Sequence, residues 1–181
     1  ADFRKYDAVF HVAGIAHVDP KHEMAPLYYK VNRDLTIEIA KWAKQAGVKQ
    51  FVFMSSEIVY HVSRSLKPHI MTLDTKPNPN DFYGNSKLQA EKGLNELACD
   101  TFKVANLRPP MIYGPKCKGN FLRLGWLATK TPVFPCWHNK RSMLYVYNLA
   151  EFVKHVVNRE LSGTFYPQNR ELSDTVEIVR Y

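Results

Sequence analysis

The chain has 181 residues, enough to bury a sizeable core without help from disulfides or metal. Hydrophobic residues at 45% and charged residues at 23% exclude a disordered, collagenous or coiled-coil chain, and no apolar run or signal-peptide core marks a membrane or secreted protein. The net charge of +8 comes from Lys and Arg scattered through apolar patterns; this argues against nucleic acid and leaves either a solubilising basic surface or attraction of a phosphorylated ligand.

In chain order, Tyr6–Ala13 is β-rich and runs into Gly14, predicting a strand buried on both faces followed by a tight loop. From Glu23 to Ala46 the residues Leu27, Val31, Leu35, Ile39, Trp42 and Ala46 recur at three- and four-residue steps, predicting a long amphipathic helix with Pro26 in its first turn and Gly47 as its stop. Gln50–Ser55 is a second buried strand, so the order strand, helix, strand predicts a right-handed parallel crossover and a doubly wound α/β sheet. Residues 61–80, rich in Pro and Asn, are expected to form a surface loop. Asp81 is placed to cap a helix through Leu97, and Phe102–Leu107 supplies a third strand. Pro109, Pro110 and Pro115 then end regular structure. A helix is expected over Asn120–Lys130, a strand over Arg141–Tyr147, and a helix over Asn148–Arg159 with Leu149, Phe152, Val153 and Val156 on one face. After Thr164–Tyr166, Asp174 and Glu177 have capping-box spacing. An isolated first strand and a close within a helix predict the middle of a longer protein.

Three cysteines, Cys99, Cys117 and Cys136, lack any C-x-x-C pairing, which excludes a disulfide framework or four-cysteine zinc site and fits a reducing cytoplasm. The seven histidines have no metal-ligand spacing, and none is assigned to metal. Chemistry is carried instead by Tyr83 and Lys87, four residues apart and so on one helix face. An ammonium near a phenol lowers the phenol pKa, which would let Tyr83 exchange a proton with a substrate hydroxyl near neutral pH. Ser55 and Ser56 close the preceding strand, where ligands of open α/β sheets bind, and a hydroxyl there is suited to bond the same substrate oxygen.

Together Val12-Ala13-Gly14, Asn32, Phe53–Tyr60, the Tyr83/Lys87 pair and the run Leu107-Arg-Pro-Pro-Met-Ile-Tyr-Gly-Pro115 resemble the extended short-chain dehydrogenase/reductases, also called the NAD-dependent epimerase/dehydratase family. Within it, the Arg-Pro-Pro-x-x-Tyr-Gly-Pro run, Lys118–Phe121 and Asn139–Ser142 look like bacterial surface-polysaccharide sugar epimerases and reductases. The resemblance implies the central and C-terminal part of a Rossmann-like NAD(P)-binding domain over residues 1–115, and over 116–181 a mostly substrate-binding region with a returning sheet segment near 141–160. It implies an NAD cofactor, with NADP not excluded. Tyr83 would be the acid/base, Lys87 the ribose contact and Ser56 the residue holding the reacting hydroxyl, with Ser55 lining the cofactor through its backbone. Ala13 and Gly14 would pass beneath the cofactor, Asn32 would join the long helix to that region, and Pro110 would border the same site. Arg141 and Asn120 would hold the diphosphate of a nucleotide-sugar, and Arg108 would make a structural pair near the sheet.

Some positions depart from the family pattern. A Gly-rich pyrophosphate loop is expected before Ala1, and His61 stands where the family has glycine. Ser56 is followed by Glu57 and Ile58 instead of the Asp-Glu of 4,6-dehydratases, which argues against dehydration and leaves Glu57 as an expected loop-exposed acid. The favoured activity is 4-epimerisation of a UDP-hexose in the cytoplasm. The alternatives are a 4-keto-sugar reductase, a non-catalytic NAD(P)-binding protein, or an inactive fragment. A homodimer is the assembly the resemblance allows.

Overall fold

The computed structural model describes residues 2–16, 22–60, 70–117, 121, 125–126, 129–130 and 138–180. A four-stranded parallel sheet is built, in spatial order, from β1 (Ala8–His11), β2 (Gln50–Met54), β3 (Lys103–Leu107) and β7 (Gly163–Phe165). Register runs from Val9 opposite Phe51, to Phe51 opposite Val104, to Asn106 opposite Thr164. Strand alternation sends Phe51, Phe53 and Val104 into one core with Ala40, Ala43, Ala90, Leu94 and Phe102. It sends Val52, Ala105 and Leu107 into a second core with Val156, Phe152 and Phe165. Helices therefore cover both faces, as parallel strands require.

The expected strand over 6–13 is shorter, and only His11 of β1 is buried, while Tyr6, Phe10 and Val12 are exposed. β1 is an edge of the described sheet and pairs only with β2, so one side of it gains no cover from the other strands.

The expected long helix forms as α1 (Ala25–Tyr28), a π-helical stretch (Tyr29–Leu35) and α2 (Thr36–Gln45). It ends at Gly47, whose φ of 87° lets the amide of Gly47 reach Lys44 O and that of Val48 reach Ala43 O. Its buried stripe is not the expected one. Tyr28, Asn32, Thr36, Ala40 and Ala43 face inward, one position on from Leu27, Leu35 and Trp42, which are exposed. α3 (Phe82–Leu97) lies against this helix, closely enough that a Cβ on its Gly93 would meet Ile37 Cδ1 at 2.4 Å; the inward stripe carries alanine at positions 40 and 43, while Tyr28 packs edge-on against Phe82 and Tyr83.

α3 has the expected bounds, with Asp81 Oδ1 accepting from the Gly84 amide at 2.7 Å. Beyond β3, β4 (Met111–Tyr113) pairs with β6 (Met143–Tyr145), and β5 (Lys140–Arg141) with β8 (Ser173–Asp174). The expected strand over 141–147 is thus split between two small sheets, and α4 (Val146–Asn158) begins two residues early. α4 packs on β2 and leads to β7, so residues 146–165 return to the main sheet. α5 (Thr175–Arg180) is capped by Asp174, whose Oδ1 accepts from the Val176 amide at 2.9 Å. Of the helix expected over 120–130, the described residues are helical. His61, Asn120 and Cys136 lie outside the described residues.

Candidate active site

Three segments meet at the carboxyl ends of β1 and β2. The first is the loop after β1, held by the buried Asn32: its Oδ1 accepts from the Ile15 amide at 2.7 Å, and its Nδ2 donates to Ile15 O at 3.1 Å and to Ser86 Oγ at 3.2 Å. Ser86 Oγ donates onward to Tyr83 O at 2.8 Å. Asn32 lies in the π-helical stretch, a helix geometry that recurs at functional sites, and here it brackets the side chain that reaches the loop. A Cβ on Gly14 would stand 2.9 Å from Asn32 Oδ1 and 3.3 Å from Lys87 Nζ, so a side chain there would displace one of them.

The second segment is a 3-10 turn, Glu57–Val59, capped by Ser56, whose Oγ accepts from the Ile58 amide at 3.3 Å. Glu57 N donates to Pro109 O at 3.0 Å. The adjacent hydroxyls of Ser55 and Ser56 part company: Ser55 Oγ donates to the buried Glu91, while Ser56 stands close enough to Tyr83 to favour its phenolate.

The third segment is the first half of α3, carrying Tyr83 and Lys87. It fits against the Ser56 turn so closely that a Cβ on Gly84 would be 2.5 Å from Ile58 O. Tyr28 packs edge-on to Tyr83, ring centroids 6.0 Å apart. Lys87 is 4% exposed, donates to Met54 O at 2.8 Å and stands 4.7 Å over the Phe53 ring.

Electrostatics here are dominated by burial. It pushes the Tyr83 phenol up to about 12, helped by Tyr28 and Asp81 and opposed by the nearby Ser56. The expected depression by Lys87 is not found, because its ammonium is directed to Met54 O and desolvation of the phenolate outweighs all else. Burial brings Lys87 itself down to about 8, with Glu91 opposing. His11, stacked on Phe51 and Phe53 with Nε2 3.0 Å from Thr36 Oγ1, is lowered to about 4 by burial and by Lys87 and is neutral at physiological pH. Glu57, expected to be loop-exposed, is half-buried, and burial raises its carboxyl to about 7 against the pull of Arg141.

The structure thus gathers Gly14, Asn32, Ser56, Tyr83 and Lys87. Ala13 is exposed in the loop beside them, and Pro110 is buried just beyond β3. Arg141 is exposed on β5, near enough for its charge to act on Glu57 of the Ser56 turn, and Asn139, with its amide oxygen turned to the guanidinium, accepts from Nε at 3.1 Å and Nη2 at 2.8 Å. Arg108 makes the expected ion pair, with Glu91. Glu91 itself was not singled out by sequence reasoning, although its spacing of four from Lys87 and eight from Tyr83 puts it on the same face of α3. His11 gave no signal beyond its place in a strand.

A parallel sheet layered by helices, with polar side chains converging at its strand ends, defines a doubly wound α/β protein, a fold class whose ligands bind outside such strand ends. Residues 1–166 match the model of the NAD dependent epimerase/dehydratase family. The chain is 35% identical over 180 residues to a UDP-glucose 4-epimerase of Vibrio cholerae, covering 95% of this chain and 55% of the relative. It is 32% identical over 142 residues to an N-acetyl-alpha-D-glucosaminyl-diphospho-ditrans,octacis-undecaprenol 4-epimerase of Escherichia coli O157:H7, covering 76% of this chain and 42% of the relative. The fold matches that of MoeE5, solved in complex with UDP-glucose and NAD, with a TM-score of 0.77 at 24% identity over 96% of this chain and 60% of that one. The chain belongs to the NAD-dependent epimerase/dehydratase family. It spans about half the length of the curated relatives it matches. Among the described residues, no helix is long and apolar enough to cross a membrane.

Proposed function

We propose that the protein carries out NAD-dependent oxidoreduction at C4 of a nucleotide-activated hexose, as a 4-epimerase. The observation that carries this reading is the convergence of Tyr83, Lys87 and Ser56 beside a floor kept open by Gly14. The donor set fits the cofactor. Among the described residues Lys87 Nζ makes one protein hydrogen bond, leaving two N–H groups for ribose hydroxyls, and Asn32 fixes the loop on which a flat ring can rest. The kinship with a UDP-glucose 4-epimerase supports the sugar-nucleotide class.

When bound, NAD supplies the acceptor and donor of hydride at C4. Ser56 Oγ orients the 4-oxygen, and Tyr83 moves the proton at that oxygen. Lys87 holds the ribose, and its charge favours the phenolate whenever the proton leaves Tyr83. Arg141 grips the diphosphate through the fork of its guanidinium.

A second reading is reduction of a 4-keto sugar nucleotide, which uses the same residues with the protonated Tyr83 phenol donating to the 4-oxygen. Purified protein with NAD and UDP-glucose, followed by NMR for UDP-galactose, tests the first reading; net NADH oxidation by a 4-keto sugar nucleotide tests the second. In the active assay Tyr83→Phe lowers kcat by roughly 10²–10⁴ with cofactor affinity little changed. Turnover close to that of the parent would refute the role of Tyr83 in both.

A further inference from the structure

A buried polar chain runs behind the site. Glu91 and Arg108 are 2% and 9% exposed, and the guanidinium clamps the carboxylate through Nε at 3.1 and 3.2 Å and Nη2 at 2.6 Å. The other Glu91 partner is Ser55 Oγ. Arg108 Nη1 donates to Tyr60 OH at 2.7 Å, with its carbon 5.2 Å over the Tyr60 ring and 5.9 Å over that of Tyr166. Tyr60 OH donates to Tyr166 OH at 3.3 Å.

The ends of this chain matter more than its middle. Ser55 immediately precedes Ser56, and Tyr60 immediately follows the Glu57–Val59 turn that Ser56 caps. The ion pair therefore grips the Ser56 turn on both sides, and a third tie, Glu57 N to Pro109 O, comes from the neighbour of Arg108. Glu91 meanwhile projects from the face of α3 that bears Tyr83 and Lys87. A buried ion pair adds little stability over a well-packed apolar substitute, because desolvation offsets its attraction. What such a network does provide, when every member is bonded, is a single geometry.

Resting on the reading above, we propose that the Glu91–Arg108 pair, with Ser55 and Tyr60, is a positioning device that fixes the Ser56 turn against Tyr83 and Lys87. None of the four is a catalytic residue. Glu91 has a second effect on the same site, since its charge favours the ammonium of Lys87. Among the described residues, the other titratable and charged groups around Lys87 are the phenol of Tyr83 on α3, the neutral His11 on β1, and Arg108, already neutralised by Glu91.

Hydrogen exchange on the protein without ligand tests the device directly. Tyr60→Phe and Ser55→Ala each remove one tie and leave the ion pair, so the amides of Glu57, Ile58 and Val59 exchange at least about ten-fold faster while Phe51, Val52 and Ala105 in the sheet are unchanged. Uniform acceleration, or none, would overturn the proposal. Kinetics with UDP-glucose and NAD add a cycle. Each variant lowers kcat about ten-fold with KM within about two-fold, and in a Ser56→Ala background the same change costs less than about two-fold. An equal fall in both backgrounds marks a merely structural role and rejects positioning. If Ser56→Ala itself leaves turnover intact, the site reading fails, an outcome separate from the exchange result. Glu91→Gln moves the alkaline limb of kcat down by about one pH unit, and an unmoved limb in that variant, once shown to be folded, removes the electrostatic part.

Discussion

Gly84→Ala sets two parts of the physics against each other, and they differ in sign. Judged by helix propensity alone, replacing a glycine inside a helix by alanine stabilises by about 0.5–1 kcal/mol. In this structure the new Cβ would lie 2.5 Å from Ile58 O, 3.2 Å from Ile58 C and 2.9 Å from Pro79 Cβ. Two of these neighbours are backbone atoms and cannot swing aside, so the first turn of α3 must move off the Ser56 turn by something near 1 Å. Contacts this short with fixed backbone atoms fall in the upper part, about 2–3 kcal/mol, of what overpacking costs, leaving a net loss of about 1–2.5 kcal/mol after the propensity gain. For a domain of this size that lowers Tm by about 2–10 °C. The same displacement separates Ser56 from Tyr83, and a misplacement of about 1 Å costs on the order of 10² in kcat. Differential scanning calorimetry and steady-state turnover of the variant check both numbers. A Tm equal to or above the parent's would show that the turn and helix do not touch as described, and would remove the structural basis for pairing Ser56 with Tyr83.

Truncating Arg141 to Ala raises KM for a UDP-sugar by about one to two decades, from the roughly 1.5–3 kcal/mol of a hydrogen bond to a charged group, with a smaller effect on kcat; steady-state kinetics with an unchanged KM would reject its contact with the diphosphate. Glu57 gives a pH signature. Its folded carboxyl titrates at about 7, above the ordinary 4.5, so between those values the folded state holds a proton that the unfolded state has lost. Its contribution to stability is therefore fully present below about pH 4.5 and is lost as pH rises towards 7, by up to about 3 kcal/mol. Glu57→Gln removes this slope, so urea unfolding at pH 4.5 and 7 should show the parent losing stability relative to the variant; parallel behaviour would refute burial of the carboxyl. His11, with its folded value lowered to about 4, acts oppositely over an overlapping range, and comparing the parent with the Glu57 variant cancels it.

Local chemistry is what the sequence alone determined. The cap at Asp81, the bounds of α3, the strands at β2 and β3 and the glycine stop at residue 47 each depend on backbone groups and side chains within a few residues, so they are legible as strings. The Tyr83/Lys87 spacing is legible for the same reason, since helix geometry alone puts both on one face. The buried face of the long helix was not. Its apolar stripe pointed to Leu27, Leu35 and Trp42, but the helix turned Tyr28, Asn32, Thr36, Ala40 and Ala43 inward, where Tyr28 packs on the rings of Phe82 and Tyr83, Asn32 holds the loop after β1, and Ala40 and Ala43 join the core below. The phenol of Tyr83 likewise rises instead of falling, since its ionisation depends on how deeply three distant segments bury it and on where Lys87 directs its N–H groups. The Ser55–Glu91–Arg108–Tyr60 chain joins residues up to 53 positions apart, from Ser55 to Arg108. Only the packed tertiary structure, by excluding water from all of them at once, makes those charges and hydroxyls find one another.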